Sequence, residues 1–153
     1  SNLNVIIKFL QLEKIDILNT SSIYETPSYP DKQKPKFLNI VIQIKFDLDL
    51  NKLFKKILLI EKKMGRKRTS KNEPRICDID VIDFNQVVID SESIILPHPR
   101  AHKRNFVLYP LQEINPQWTH PKSNKKIHLL IDNLNENESN EITRLKERVI
   151  FNK

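Results

Sequence analysis

The 153-residue sequence has one glycine, one cysteine, one tryptophan and four histidines. With Gly65 alone, neither a G-x-x-x-x-G-K-[ST] phosphate loop nor a G-x-G-x-x-G dinucleotide turn can be built, so any bound phosphate must be held by cationic side chains and metal. The lone Cys77 has no partner for an internal disulfide, which fits a buried thiol in a reducing compartment. His98, His102, His120 and His128 form neither an H-E-x-x-H nor a Cys/His zinc pattern. No apolar run approaches the roughly 20 residues of a membrane span, and the first residues lack a signal peptide's basic region; a cytoplasmic protein without membrane contact is expected.

The net charge of +7 favours anionic partners without choosing among them. The length suits one domain, 1–153, within the usual range of roughly 100 to 200 residues. Residues 5–12 read as the end of a buried helix and 15–24 as a strand closed by the rigid Thr26-Pro27-Ser28-Tyr29-Pro30 loop. Residues 37–46 alternate as a strand with Ile40, Ile42, Ile44 and Phe46 on one face. Apolar spacings of three and four predict a helix over 49–64, with Gly65 suited to its C-cap. A basic loop over 65–75 follows, expected to be mobile and to close over bound phosphates, and then a strand at 76–84 with 87–89 as its partner across Asn85-Gln86. Short helices are expected at 101–111, 126–134 and 141–151. The helix-strand-strand-helix-strand order implies an α+β ferredoxin-like sandwich, a mostly antiparallel sheet with helices packed on one face, lacking its opening strand.

Asp78 and Asp80 stand one residue apart on the expected strand, so both carboxylates leave the same face roughly 6 to 7 Å apart, opposite Cys77, Ile79 and Val81. A divalent metal removes their mutual repulsion, and oxygen-only ligands at that spacing suit magnesium, which shares its shell with substrate phosphates. Arg66, Lys67, Arg68, Lys71 and Arg75 precede the pair, and Arg100, Lys103 and Arg104 follow it. Metal with guanidinium groups can grip a triphosphate without a glycine-rich loop. No nucleophile-elbow pattern suggests covalent catalysis. A basic ferredoxin-like sheet that binds RNA would carry aromatics on its open face, where acid stands here, so nucleic acid is not an expected partner.

Pro74-Arg75-Ile-Cys-Asp78-Ile-Asp80 resembles the P-R-x-x-D-x-D signature of the 6-hydroxymethyl-7,8-dihydropterin pyrophosphokinase family. Further matches, in family order, are Ser21-Ser-Ile-Tyr-Glu-Thr-Pro27, Phe37-Leu-Asn39, Glu61 with Gly65-Arg66, Leu96-Pro-His98 and Arg104-Asn-Phe-Val-Leu-Tyr-Pro-Leu111. The resemblance implies transfer of pyrophosphate from ATP to the hydroxymethyl group of the pterin, with release of AMP, as a step of folate biosynthesis. It further implies direct in-line transfer assisted by two magnesium ions on Asp78 and Asp80. By position, Arg66 and Arg68 match catalytic loop arginines; Glu61, Arg75, His98 and Arg104 match the ATP site; and Thr26, Pro27, Phe37, Asn39 and Phe106 match the pterin pocket. ATP and the hydroxymethyl pterin are the expected partners of a monomer. The chain departs from the family at Asn72-Glu73, where Trp-Gly is frequent, at Pro99, where an aromatic is frequent, and at the start, where native residues are expected before Ser1 and near Asn4.

Overall fold

The computed structural model describes residues 2–28, 31, 33–65, 77–134 and 141–151. It is a mixed α and β structure that divides into two compact units: 1–19, 43–80 and 149–153 form the first, and 20–42 with 81–148 the second. Among the described residues no helix is long and apolar enough to cross a membrane.

The first unit holds helix α1 (Asn2–Leu12), helix α2 (Leu50–Lys63) and, apart from the end residues Thr20 and Ile42, the two-stranded sheet of β1 (Asp16–Thr20) and β4 (Ile42–Lys45). Helix α2 starts where its sequence dictates. The Asp49 carboxylate accepts the Lys52 N–H at 3.0 Å, and at the far end Gly65 takes φ 89°, a conformation in which a Cβ would be strained. Leu53, Ile57 and Ile60 are buried, as the three-and-four spacing requires, while Leu58 stays 55% exposed. Lys56 donates to the Glu13 carbonyl at 2.7 Å, tying α2 to the end of α1.

The second unit carries β2 (Tyr24–Thr26) between β3 (Phe37–Asn39) and β7 (Thr143–Arg144), both antiparallel to it. It also has a small β5 (Ile89–Asp90) and β6 (Ile95–Leu96) ladder, a 3-10 turn at Ala101–Lys103, and helices α3 (Asn105–Ile114) and α4 (Ile127–Asp132). Leu108, Leu111, Trp118, Ile127 and Leu130 form its buried cluster, with Val41 and Ile82 packed against them. The indole of Trp118 donates to Asp83 at 2.9 Å, so the one large polar ring in the cluster is satisfied.

Four expected elements are corrected. The strands over 15–24 and 37–46 each split, because Ser21 donates its N–H to the Val41 carbonyl at 2.9 Å while its hydroxyl accepts the Val41 N–H at 3.0 Å. A side chain thus stands where a ladder carbonyl would, and the run is broken. Residues 77–84 form no strand. Asn85 and Gln86 have φ of 52° and 61° with Val87 N–H on the Phe84 carbonyl at 3.0 Å, a type I′ turn, but Asp83 captures Gln86 through two bonds and β5 pairs with β6 instead. Segment 141–151 is not helical: Thr143 and Arg144 pair with Glu25 and Tyr24, and tertiary strand pairing overrides local helix preference. Cys77 is half-buried, not buried.

Leu108 is fully buried, so Leu108→Ala should destabilise the protein by about 2 to 5 kcal/mol in urea unfolding. A loss below about 1 kcal/mol would show that this cluster is not a packed core.

Candidate functional site

Glu61 is 5% exposed near the end of α2, and its Oε2 accepts the backbone N–H of Ile79 at 3.1 Å. Ile79 lies between Asp78 and Asp80, so a buried carboxylate fixes the peptide unit that joins the two acids. Exposure alternates along this segment: Asp78 and Asp80 are exposed, while Cys77 and Ile79 are half-buried. The two-residue alternation expected of a strand is present although the segment is not in a strand. Glu61, Asp78 and Asp80 all belong to the first unit. Glu61 was expected at the nucleotide, and its described bond is to main chain.

The second unit brings together three pocket residues proposed from sequence. Thr26 faces Phe37 and Tyr24 faces Asn39 across the β2–β3 ladder. The Asn39 amide nitrogen donates to Thr26 Oγ1 at 3.1 Å and to the Tyr24 carbonyl at 3.4 Å. A carbonyl only accepts, so the nitrogen must face it, and the Asn39 side-chain oxygen is thereby directed as an acceptor. Phe37 is 54% exposed, which rules out plain core packing as its purpose. Pro27 is half-buried beside Thr26.

On α3 the Arg104 guanidinium carbon lies 5.3 Å from the centre of the half-buried Phe106 ring, joining a phosphate candidate to a pterin candidate. His98 donates its backbone N–H to the Ile82 carbonyl at 2.9 Å, and its Nδ1 accepts the Arg100 N–H at 3.1 Å, which places the proton of the neutral ring on Nε2. Arg66, Arg68 and Arg75 lie outside the described residues. Among the described residues no group of three or more acidic, histidine or cysteine side chains gathers as a ready metal cage. Asp78 and Asp80 are two exposed carboxylates, the type of donor that magnesium takes when substrate phosphates complete its shell.

The residue that sequence reading passed over is Glu113. Its carboxylate accepts the Ser22 N–H at 2.9 and 3.1 Å, the Ser22 hydroxyl at 3.1 Å and the Tyr24 hydroxyl at 2.8 Å. Arg148 and Arg144 reach it at 3.3 and 3.5 Å. Burial works to raise its pKa, but the donors from Tyr24 and Ser22, with Arg144, outweigh burial and hold the carboxyl below its usual range. Tyr24 is pushed up to about 12, by burial first and then by Glu113. The structure sets Glu113 seven residues after Phe106 on one face of α3, whereas the helix expected from sequence ended at residue 111, short of it. Arg148 is 126 residues from Ser22, and no local pattern announces such a pairing.

The profile of the 7,8-dihydro-6-hydroxymethylpterin-pyrophosphokinase family matches residues 1–116. The chain belongs to this family. It is 39% identical over 114 residues to the 2-amino-4-hydroxy-6-hydroxymethyldihydropteridine pyrophosphokinase of Aquifex aeolicus, covering 74% of this chain and 68% of that protein. To the Bacillus subtilis protein of the same name it is 39% identical over 103 residues, 67% of this chain and 62% of that one. To the folic acid synthesis protein fol1 of Pneumocystis carinii it is 37% identical over 128 residues, 79% of this chain but only 17% of that protein's length. The match to the family therefore includes the α2–Asp80 segment and the β2–β3 pair, and it ends three residues after Glu113, before α4 and β7.

Close to Arg104, His102 and His120 stack edge to face with ring centres 5.8 Å apart, and Trp118 lies 5.7 Å from His120. His120 Nδ1 accepts the N–H groups of Lys122 and Ser123 at 3.2 and 3.1 Å. Burial lowers the pKa of His120, with His102 and Lys122 adding to this and Asp83 opposing it; burial, Lys103 and Lys125 lower that of His102. Folded pKa values below the unfolded one mean that the unfolded chain binds more protons as pH falls. Stability should therefore be fully present above about pH 6.5 and decline as pH drops below it. His120→Asn keeps an acceptor near the two amides and removes one titration, so its unfolding free energy should vary less between about pH 7 and 5. An unchanged pH slope in urea titrations would refute this assignment.

Proposed function

We propose that this chain transfers the terminal pyrophosphate of ATP to the hydroxymethyl group of 6-hydroxymethyl-7,8-dihydropterin, releasing AMP, in folate biosynthesis. The observation that carries the reading is the Glu61–Ile79 bond, which holds the D-x-D segment so that both acids point outward from one backbone face. Membership of the pterin-pyrophosphokinase family supports it. ATP and the pterin are the proposed partners, without nucleic acid or membrane, for a monomer acting in the cytoplasm. The proposed architecture is one domain, 1–153, of the ferredoxin-like α+β type. The antiparallel β3–β2–β7 sheet with α3 packed against β2 is compatible with that.

In this reading Asp78 and Asp80 hold magnesium. Bound there, the ions supply neutralisation of phosphate charge and alignment of the triphosphate. The chain's own residues do the rest. Arg104, His98 and Arg75 bind phosphate and ribose oxygens, Glu61 keeps the D-x-D peptide in place, and Arg66 and Arg68 stabilise charge on the departing AMP. Asn39, its amide nitrogen engaged on β2, turns its oxygen to the N–H edge of the pterin, and Phe106 stacks on the ring with Thr26, Pro27 and Phe37 around it. The pterin hydroxyl attacks the β-phosphorus in line; the bond from that phosphorus to the oxygen bridging it to the α-phosphorus breaks, and AMP leaves with no covalent enzyme intermediate.

Asp78→Ala and Asp80→Ala should each abolish AMP formation from ATP and the pterin while leaving the melting temperature unchanged, since both side chains are exposed. In calorimetry, magnesium should strengthen ATP binding to the wild type and not to either variant. Turnover near the wild-type level in either variant would remove the metal role. Asn39→Ala and Phe106→Ala should raise the pterin KM by about tenfold or more with little change in ATP affinity. Equal weakening of both ligands, with a lower melting temperature, would assign these side chains to packing.

A further inference from the structure

Ser22 presents an unusual demand. It sits where β1 has ended and β2 has not begun, buried to 3% exposure, and its N–H has no strand partner. Both oxygens of Glu113 take that N–H, and the Ser22 hydroxyl donates to Glu113 while accepting from Arg144 Nε and Arg148 Nη1, each at 3.1 Å. Arg148 also donates to the Thr20 carbonyl at 2.8 Å. A neutral acceptor in place of the carboxylate could not take the Ser22 and Tyr24 donors and also balance two guanidinium groups.

The elements joined in this way carry the pterin candidates. Tyr24 opens β2, whose Thr26 holds the Asn39 amide, and β3 brings Phe37 and Asn39 into register with it. Phe106 stands two turns from Glu113 on one face of α3. Glu113 thus ties the helix that bears Phe106 to the start of the strand that holds Asn39. The arginines that neutralise that carboxylate come from the segment after residue 116, beyond the family match. We propose that Glu113, with Arg144 and Arg148, is a positioning group for pterin recognition, setting α3 against the β2–β3 pair so that Phe106 and Asn39 grip the same ring. This rests on the function proposed above and assigns a further residue to it.

The test uses the full chain with 6-hydroxymethyl-7,8-dihydropterin and magnesium ATP. Glu113→Gln keeps the shape and removes the charge; Tyr24→Phe removes one donor and keeps the ring, and so reports even if the first variant folds poorly. Leu130→Ala, in the α3–α4 cluster, supplies a loss of stability unrelated to the carboxylate. Glu113→Gln should raise the pterin KM at saturating ATP by about tenfold, and Tyr24→Phe by a smaller factor, with kcat and the ATP dissociation constant held within about twofold. Leu130→Ala should lower the melting temperature without changing the ratio of the two ligands' constants. Should Glu113→Gln leave the pterin KM unaltered, weaken both ligands alike, or match the Leu130→Ala pattern, the positioning role is overturned while the function stands. A wild-type protein that binds ATP but forms no product with the pterin overturns both.

Discussion

The amide of Ser22 and the amide of Ile79 both lie in extended chain that has no ladder partner for them, and both donate to a glutamate borne by a helix. Leaving such a group unpaired in the interior costs about 1 to 3 kcal/mol, so an irregular segment needs an acceptor from elsewhere. In the first unit the acceptor is Glu61 on α2, and the segment it serves displays Asp78 and Asp80. In the second it is Glu113 on α3, and the segment it serves leads into Thr26 and Asn39. A carboxylate suits this better than a carbonyl because it is mobile enough to meet an amide at an arbitrary angle and has two oxygens to share. Its charge then requires compensation, which Arg144 and Arg148 give to Glu113.

How much of this could be read in the sequence varied with the range of the interaction. Helix α2 was legible almost to the residue, since its cap, its apolar spacing and its terminal glycine are all local. The alternation of Asp78 and Asp80 against Cys77 and Ile79 was also legible, because two-residue periodicity follows from extended backbone whether or not a neighbour pairs with it. What failed was every inference that needed knowledge of a partner. Ser21 interrupts two runs at once by substituting its hydroxyl for a carbonyl, and nothing in the apolar pattern of either run marks that point. The segment 141–151 reads as a helix alone, yet its regular structure is the residue pair Thr143 and Arg144, set against the edge of β2.

The arrangement of the candidate site was legible in the same uneven way. Thr26, Phe37 and Asn39 were assigned by resemblance to two separate motifs, and the β2–β3 register brings them side by side. Glu113 was missed although the motif naming Phe106 ends two residues before it. A motif records which side chains meet the ligand; it is silent on those that hold the scaffold at the required spacing.

The scarcity of glycine has left its trace in the backbone. Among the described residues with positive φ, Lys14, Asn85, Gln86 and Asn124 have side chains, and Gly65 alone does not. A left-handed residue with a Cβ costs roughly 1 to 2 kcal/mol, less for asparagine, and two such residues adjoin in the type I′ turn. The conformational cost at the turn is offset by the Asp83 side chain, which holds Gln86 through two hydrogen bonds. The same positions are where replacement by glycine would relieve strain without touching a single residue of the proposed chemistry.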